Sequence, residues 1–234
     1  VSAETVLQWK RACETEIAKR GLQFHDMGHG WTSVPFGFRD CTGLPREECE
    51  EEYKKEKYQH CALLGGKRQL FGDFDMNTNV CMSRADTRDI MVQAVADYCE
   101  KQNHVDYLHV WLSDGTNNHC ECEECRKKVP SDWYVILMNE IDAELTKRGL
   151  DSHIVFICYV DTFWAPQEEI IKNPERFALL FAPIKRYYTE NYGWGWGENT
   201  SKGYARILNN AFELTLICMD PGCETYARLL KIRN

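Results

Sequence analysis

HIVFICYV, residues 153–160, is the stretch whose reading decides the fold. After His153 it is apolar almost without interruption and rich in Ile and Val. A strand with one wet face alternates apolar and polar residues. This one does not, so both of its faces should be buried, as in a parallel sheet covered by helices. Upstream, Tyr134, Met138, Ile141 and Leu145 recur at helical spacing, with Ser131 as a start signal and Gly149 as a stop. Downstream, FALLFAP (177–183) repeats the buried-strand pattern.

The same alternation extends outward in both directions. YLHVWLS (107–113) reads as a strand, preceded by a helix carrying Ile90, Met91, Ala94, Val95 and Tyr98. Ser83 with Asp86 resembles a capping box for that helix. A first helix bears the stripe Val6, Trp9, Cys13 and Ile17, ends at Gly21, and is followed by the short strand LQFHDM. Pro166 opens a short helix that stops near Asn173-Pro174. A helix around Tyr204 to Leu208, the strand FELTLICM and a last helix after Pro221 complete the series. Strands are therefore expected near 22–27, 78–82, 107–113, 154–160, 177–183 and 213–218. No glycine-rich phosphate loop follows any of them, which disfavours a nucleotide-binding sheet. The expected fold is α/β, a (β/α)8 TIM-type barrel that is incomplete within a single domain spanning 1–234 and is a fragment of a longer protein. Residues 31–77 break the alternation and read as a long insertion, with a solvated charged helix at Glu47 to Lys57.

Composition narrows the function. The chain has 234 residues, 44% hydrophobic, enough for a full core. A net charge of −8, without a basic face, argues against nucleic acid as a partner. No apolar run approaches membrane-spanning length. The sequence does not begin with Met and has no leader, so an export signal would have been lost; the expected compartment is cytoplasmic.

Twelve cysteines call for an account. Cys120, Cys122 and Cys125 are too close in sequence for three separate bridges. Zinc takes four thiolate or imidazole ligands, and this run can supply three of them. Cys81 is an attractive fourth, because it should end the strand beside this loop. His119 is the alternative, at the expense of a tight bend. A closed site of four ligands is structural. The expectation is reduced cysteines with one structural zinc, over a disulfide framework, and Cys13, Cys99 and Cys158 are read as thiols on apolar faces.

In barrels of this type, catalytic groups come from the C-terminal ends of strands. Those ends supply Asp26 with His29, then Cys81 and Arg84, then Asp114. They continue with Tyr159, Asp161 and Trp164, then Lys185, Arg186 and Tyr187, then Asp220. Carboxylates mixed with aromatics and cations suit a carbohydrate substrate. Glycoside hydrolysis needs an acid to protonate the leaving oxygen and a second carboxylate to attack or activate water. Asp114 is the expected acid and Asp161 the second carboxylate. His29, Trp31, Tyr159, Trp164, Lys185, Arg186 and Tyr187 are the expected sugar contacts, the two cations suiting a uronic carboxylate. A bland reading stands beside each: an Asp before Gly115 can simply cap a turn. GWGWG (193–197) is either a lid that stacks on sugar or a loop packed on the rim. Asn199-Thr200-Ser201 matches a glycosylation acceptor. A barrel that binds carbohydrate without cleaving it, and a hydrolase with an open zinc site, are the rival functions.

HVWLSDGTNNHCECEEC (109–125) followed by SDWYVILMNEIDAEL (131–145) resembles domain-of-unknown-function family 4838. CALLGGKR, NVCMSR and GHGW fit the same pattern, and the likeness runs from roughly residue 20 to 190. The resemblance implies a glycoside-hydrolase-like TIM barrel of bacteria that degrade polysaccharides, distantly similar to α-glucuronidases and β-hexosaminidases. It further implies Asp114 where those enzymes carry their acid, Cys81 grouped with the Cys120 cluster, and Asp132 and Asn139 as family-like positions. Hexosaminidases carry two adjacent acids at this place, whereas here Ser113 precedes Asp114.

Overall fold

The computed structural model describes residues 1–182, apart from Met27 and Asn103. The chain is a mixed α/β fold. Helix α1 (Ala3–Lys19) leads into β1 (His25–Asp26); α2 (Arg46–Glu52) and the hairpin β2 (Leu63–Leu64) and β3 (Lys67–Arg68) follow. Then come α3 (Ala85–Lys101), β4 (Tyr107–His109), α4 (Pro130–Lys147), β5 (His153–Cys158) and β6 (Phe177–Phe181). One four-stranded sheet runs in the order β1-β4-β5-β6, parallel throughout. The order follows the chain without a reversal, unlike a doubly wound sheet.

The register explains why HIVFIC has no polar alternation. Leu108, Ile154 and Phe177 share one row and one face, together with Val110, Phe156 and Leu179; all are buried. Helices α3 and α4 supply Met91, Val95, Leu137, Met138, Ile141 and Leu145 to the same core. Tyr134 crosses it: its hydroxyl donates to the Val110 carbonyl and accepts from the Ile157 amide. The opposite face carries His25, Tyr107 and His153 in one row, then His109, Val155 and Ala178. That face is half polar and aromatic.

Gly21 and Gly149 both adopt positive φ just past a helix end. In each, the following residue's amide reaches back five positions (Leu22 to Ile17, Leu150 to Leu145), the hydrogen bonding of a Schellman stop.

Four local expectations are corrected. Residues 78–82 do not join the sheet. Val80 makes only an isolated antiparallel bridge with Cys61, and β1 pairs directly with β4. The Thr78 hydroxyl is occupied with Phe71 and Phe74, so this segment turns where a strand would extend. Ser83 does not cap α3; Arg84 holds that position, and Asp86 pairs with Arg84. Ser131 lies inside α4, which starts at Pro130 after Val129, and its hydroxyl donates to the Trp164 carbonyl. After Pro166 there is no helix before the short turn at Pro174–Arg176. The amides of Gln167, Glu168 and Glu169 instead converge on one oxygen of Asp132.

The stripe on α1 also differs from expectation. Val6, Trp9 and Cys13 are exposed, because α1 meets the rest of the molecule through polar contacts, Lys10 to Asp26 and Glu14 to His104. Cys99 and Cys158 are buried thiols. Helix α2 is charged and mostly solvated, but Cys49 and Glu52 point inward. A complete barrel is not formed by the described residues, and the strand expected at 213–218 lies outside them.

Candidate site at the strand ends and a four-cysteine centre

The C-terminal ends of β1, β4 and β5 converge on one small cluster. Beyond β1 the chain runs through Gly28 and His29. A Cβ added at Gly28 would lie 3.1 Å from the Trp111 ring, so glycine lets the indole lie flat against the β1 backbone. His29 meets Trp111 edge-on, with ring centroids 5.0 Å apart. Its Nδ1 is 2.7 Å from the Leu112 carbonyl, an acceptor, so that nitrogen carries a proton. The other ring nitrogen, Nε2, lies 3.7 Å from Asp114 Oδ1. Tyr159, beyond β5, completes the group. Burial first, and then the Asp114 carboxylate beside it, raise its hydroxyl above the ordinary tyrosine range.

The turn after Tyr159 is strained. Val160 has φ 41°, a left-handed conformation that a β-branched residue rarely takes. Such strain costs on the order of 1–3 kcal/mol and is characteristic of sites held in place for a purpose.

Below this edge a column of rings continues along the face opposite the helices. Trp111 meets His109 at 5.3 Å, His109 Nε2 lies 2.9 Å from His25 Nδ1, and His25 stacks on Tyr107 at 4.6 Å. Burial, with the neighbouring His25 adding to it, pushes His109 down to about 4. Burial lowers His25 as well. The signal in the sequence was the alternation His109-Val110-Trp111, which puts both rings on one face of an otherwise apolar strand.

The other expected site residues have partners of their own. Asp161 Oδ2 accepts from the Asn117 amide at 2.6 Å, where Asn117 has positive φ, and lies 3.6 Å from His119. Burial lowers His119, against the pull of Asp161. Asp161 thus holds the 117–119 loop. Trp31 is a core residue, its indole donating to the His109 carbonyl. Trp164 is exposed. Asp26 faces the helices, paired with Lys10 and accepting from the Tyr98 hydroxyl. Lys185, Arg186, Tyr187, the 193–197 loop, the 199–201 triplet and Asp220 lie outside the described residues.

The cysteines come together as expected, although Cys81 reaches the group from an irregular segment and not from a strand end. The sulfurs of Cys81, Cys120, Cys122 and Cys125 all lie within 4.8 Å of one another. Cys81 is 3.7 Å from Cys122 and 3.9 Å from Cys125. A disulfide needs about 2 Å between sulfurs. Four sulfurs each about 2.3 Å from one zinc sit about 3.8 Å apart at the corners of a tetrahedron. The separations therefore fit a shared metal ion. Backbone amides of Leu63, Ser83 and Cys125 point at Cys120, Cys125 and Cys122 respectively, at 3.2, 3.3 and 3.5 Å. Amides so placed favour thiolate ligands. His119 is not in the group and pairs with Asp161 instead. Its sulfurs come from two segments distant in sequence, the entry to α3 (Cys81) and the loop after β4 (Cys120, Cys122 and Cys125), and the β2–β3 hairpin adds the Leu63 amide. Ten cysteines among the described residues are free thiols.

An α/β chain with a parallel sheet, polar and aromatic groups at its strand ends and a four-cysteine cluster beside them is the class this architecture defines. The chain belongs to the family described as "Domain of unknown function (DUF4838)", whose model matches residues 10–194. No curated protein and no solved structure matches it. No helix of the described residues is long and apolar enough to cross a membrane.

Proposed function

We propose that this chain is a carbohydrate-active domain that hydrolyses a glycosidic bond of a poly- or oligosaccharide at the C-terminal edge of its sheet. The observation that carries the reading is the convergence of Asp114, His29, Trp111 and Tyr159 from three strands. In this reading the sheet is one arc of a TIM-type (β/α) barrel, whose reactive groups stand at that edge. Asp114 protonates the leaving oxygen. His29, its Nδ1 proton held by the Leu112 carbonyl, turns Nε2 toward Asp114 and exchanges a proton with it. Trp111 and Tyr159 offer the rings on which a sugar face packs, and Lys185 and Arg186 meet an acidic substituent. Asp161, which holds the 117–119 loop beyond Asp114, is the second carboxylate, attacking the anomeric carbon or activating the water that replaces the leaving group.

The four cysteines would hold zinc: Cys81, Cys120, Cys122 and Cys125 would supply its four ligands, so the metal would serve structure rather than substrate. Bound zinc supplies a dication that neutralises clustered thiolates.

A second reading, a barrel that holds sugar without cleaving it, is favoured by one observation: Asp161 Oδ2 is already engaged by the Asn117 amide. Asp114→Asn separates the two. With a panel of neutral and uronic oligosaccharides, hydrolysis predicts that wild type releases reducing ends. The variant should then lose on the order of 10²–10⁴-fold in rate while keeping affinity by calorimetry. Affinity without reducing ends from wild type selects the binding role, and undiminished hydrolysis by the variant removes Asp114 from the mechanism.

A further inference from the structure

We propose that a buried pair of asparagines, Asn79 and Asn118, couples metal binding at the four-cysteine centre to the position of Asp114. The inference rests on reading that centre as a metal site, and it assigns Asn118 as a positioning residue.

The two side chains stand in equivalent places. Asn79 precedes the ligand Cys81 by two residues, and Asn118 precedes the ligand Cys120 by two. Both are buried, Asn118 completely. Their amides bond to each other, Asn79 Nδ2 donating to Asn118 Oδ1 at 2.8 Å. Asn79 Oδ1 accepts the Ser113 amide at 3.2 Å. Asn118 Nδ2 donates to the Ser113 hydroxyl at 2.7 Å and to the Asn77 carbonyl at 2.6 Å. Asp114 itself donates its amide to the Met76 carbonyl. Ser113 and Asp114 are thereby fastened to segment 76–79 on the side where that segment enters the metal centre.

Gly115 gives an independent sign of how tightly this clamp lies against the Asp114 turn. A Cβ there would sit 2.3 Å from Asn118 Nδ2 and 3.0 Å from the Asn77 carbonyl oxygen. Its φ is not among the positive glycine values, so the constraint is space, not backbone conformation.

Metal binding draws Cys81 and Cys120 together and so fixes how far apart Asn79 and Asn118 stand. Without the ion, the loop that carries Cys120 keeps its bonds to the β2–β3 hairpin but loses its tie to Cys81. Buried amides that lose their partners gain water, and the loop opens. Linkage makes the effect reciprocal: an intact clamp strengthens metal binding, because a ligand set already in place needs less ordering.

Hydrogen exchange on the whole chain tests this, with zinc content measured alongside. The reporters are the amides of Ser113, Asp114 and Asn117, each hydrogen-bonded in the structure. Chelation of wild type should speed their exchange about tenfold or more, while amides of α4 and β5 stay protected. Asn118→Ala should speed the same amides with zinc still bound at one per chain, and weaken zinc affinity in a chelator competition by about tenfold. Zinc bound at one per chain, with Ser113 to Asn117 equally protected before and after its removal, overturns the coupling and leaves the metal site standing. Absence of stoichiometric zinc or another metal overturns the metal site and the coupling with it. If Asn118→Ala does not fold, the wild-type chelation experiment decides alone.

Discussion

Lowering the pH from 7.5 to 5 should cost this protein about 2 kcal/mol of stability through one residue, His109. The imidazole is 7% exposed, its Nε2 faces His25, and its Nδ1 has no hydrogen-bond partner. A proton added there gains little and loses its hydration. Burial therefore holds the group down to about 4, against 6.5 for an unhindered histidine. The unfolded chain binds the proton more readily, so acid favours unfolding. The contribution of neutral His109 is fully present above about pH 6.5 and is lost as pH falls toward about 4. At pH 5, the difference in proton binding between the two states amounts to about 2 kcal/mol. Urea unfolding at a series of pH values measures it, with His109→Phe as the comparison. Carboxylates contribute equally to both proteins and cancel in the difference. The variant should show an acid limb flatter by about 2 kcal/mol between pH 7.5 and 5. Parallel curves for the two proteins would refute the argument and mean that His109 finds a solvated place for its proton.

Two further substitutions probe the supports of the site. Asp132→Ala removes the carboxylate oxygen that accepts three amides, at 3.0, 2.9 and 2.9 Å, from a site 1% exposed. A loss of about 3 kcal/mol is expected, with Asp132→Asn losing less, and a change under about 0.5 kcal/mol in denaturant unfolding would contradict the bonding pattern. Gly28→Ala places a methyl 3.1 Å from the Trp111 ring, at a glycine with ordinary backbone. It should cost about 1–3 kcal/mol, and the cost should vanish in a Trp111→Leu background; additive effects in that double-mutant cycle would show that the ring is not what Gly28 avoids.

What the sequence disclosed and what it hid divide along physical lines. Helices α3 and α4 and strands β4 to β6 were legible because burial imposes periodicity on contiguous residues. Gly149 was legible because a helix stop needs positive φ. Three ligands of the cysteine centre were legible because metal ligands have few alternatives at that spacing; Cys81 was reached through a strand that the structure does not form. The segment 78–82 was misread because Val80, Cys81 and Met82 are buried by loop packing, which looks like strand burial in composition alone. The α1 stripe was misread because amphipathic spacing says which residues share a face, not whether that face is covered. The contacts of Asp132 and of the asparagine clamp were invisible, since each joins residues more than thirty positions apart and depends on a single oxygen or amide.

The proximity of a carboxylate and a thiolate cluster within residues 109–125 then has a physical cause. Between β1 and α3 the chain runs through more than fifty residues with only short turns, α2 and a hairpin of two-residue strands. Such a segment has few ladder hydrogen bonds and is held by side chains such as Phe36, Tyr58 and Leu70 that join the common core. Yet its end, from Met76 to Cys81, lies against the turn that presents Asp114. A metal held by the four cysteines would tie that end to the loop after β4, at the place where movement would displace Asp114. Cys81 stands at the entry to α3 and Cys120, Cys122 and Cys125 in the loop after β4, so a tetrahedral centre would tie three positions of that loop to one point, whereas a disulfide would tie only one. The proposed sugar chemistry and the metal would thus occupy one stretch of sequence, because a carboxylate on an irregular loop must be held by something other than the sheet.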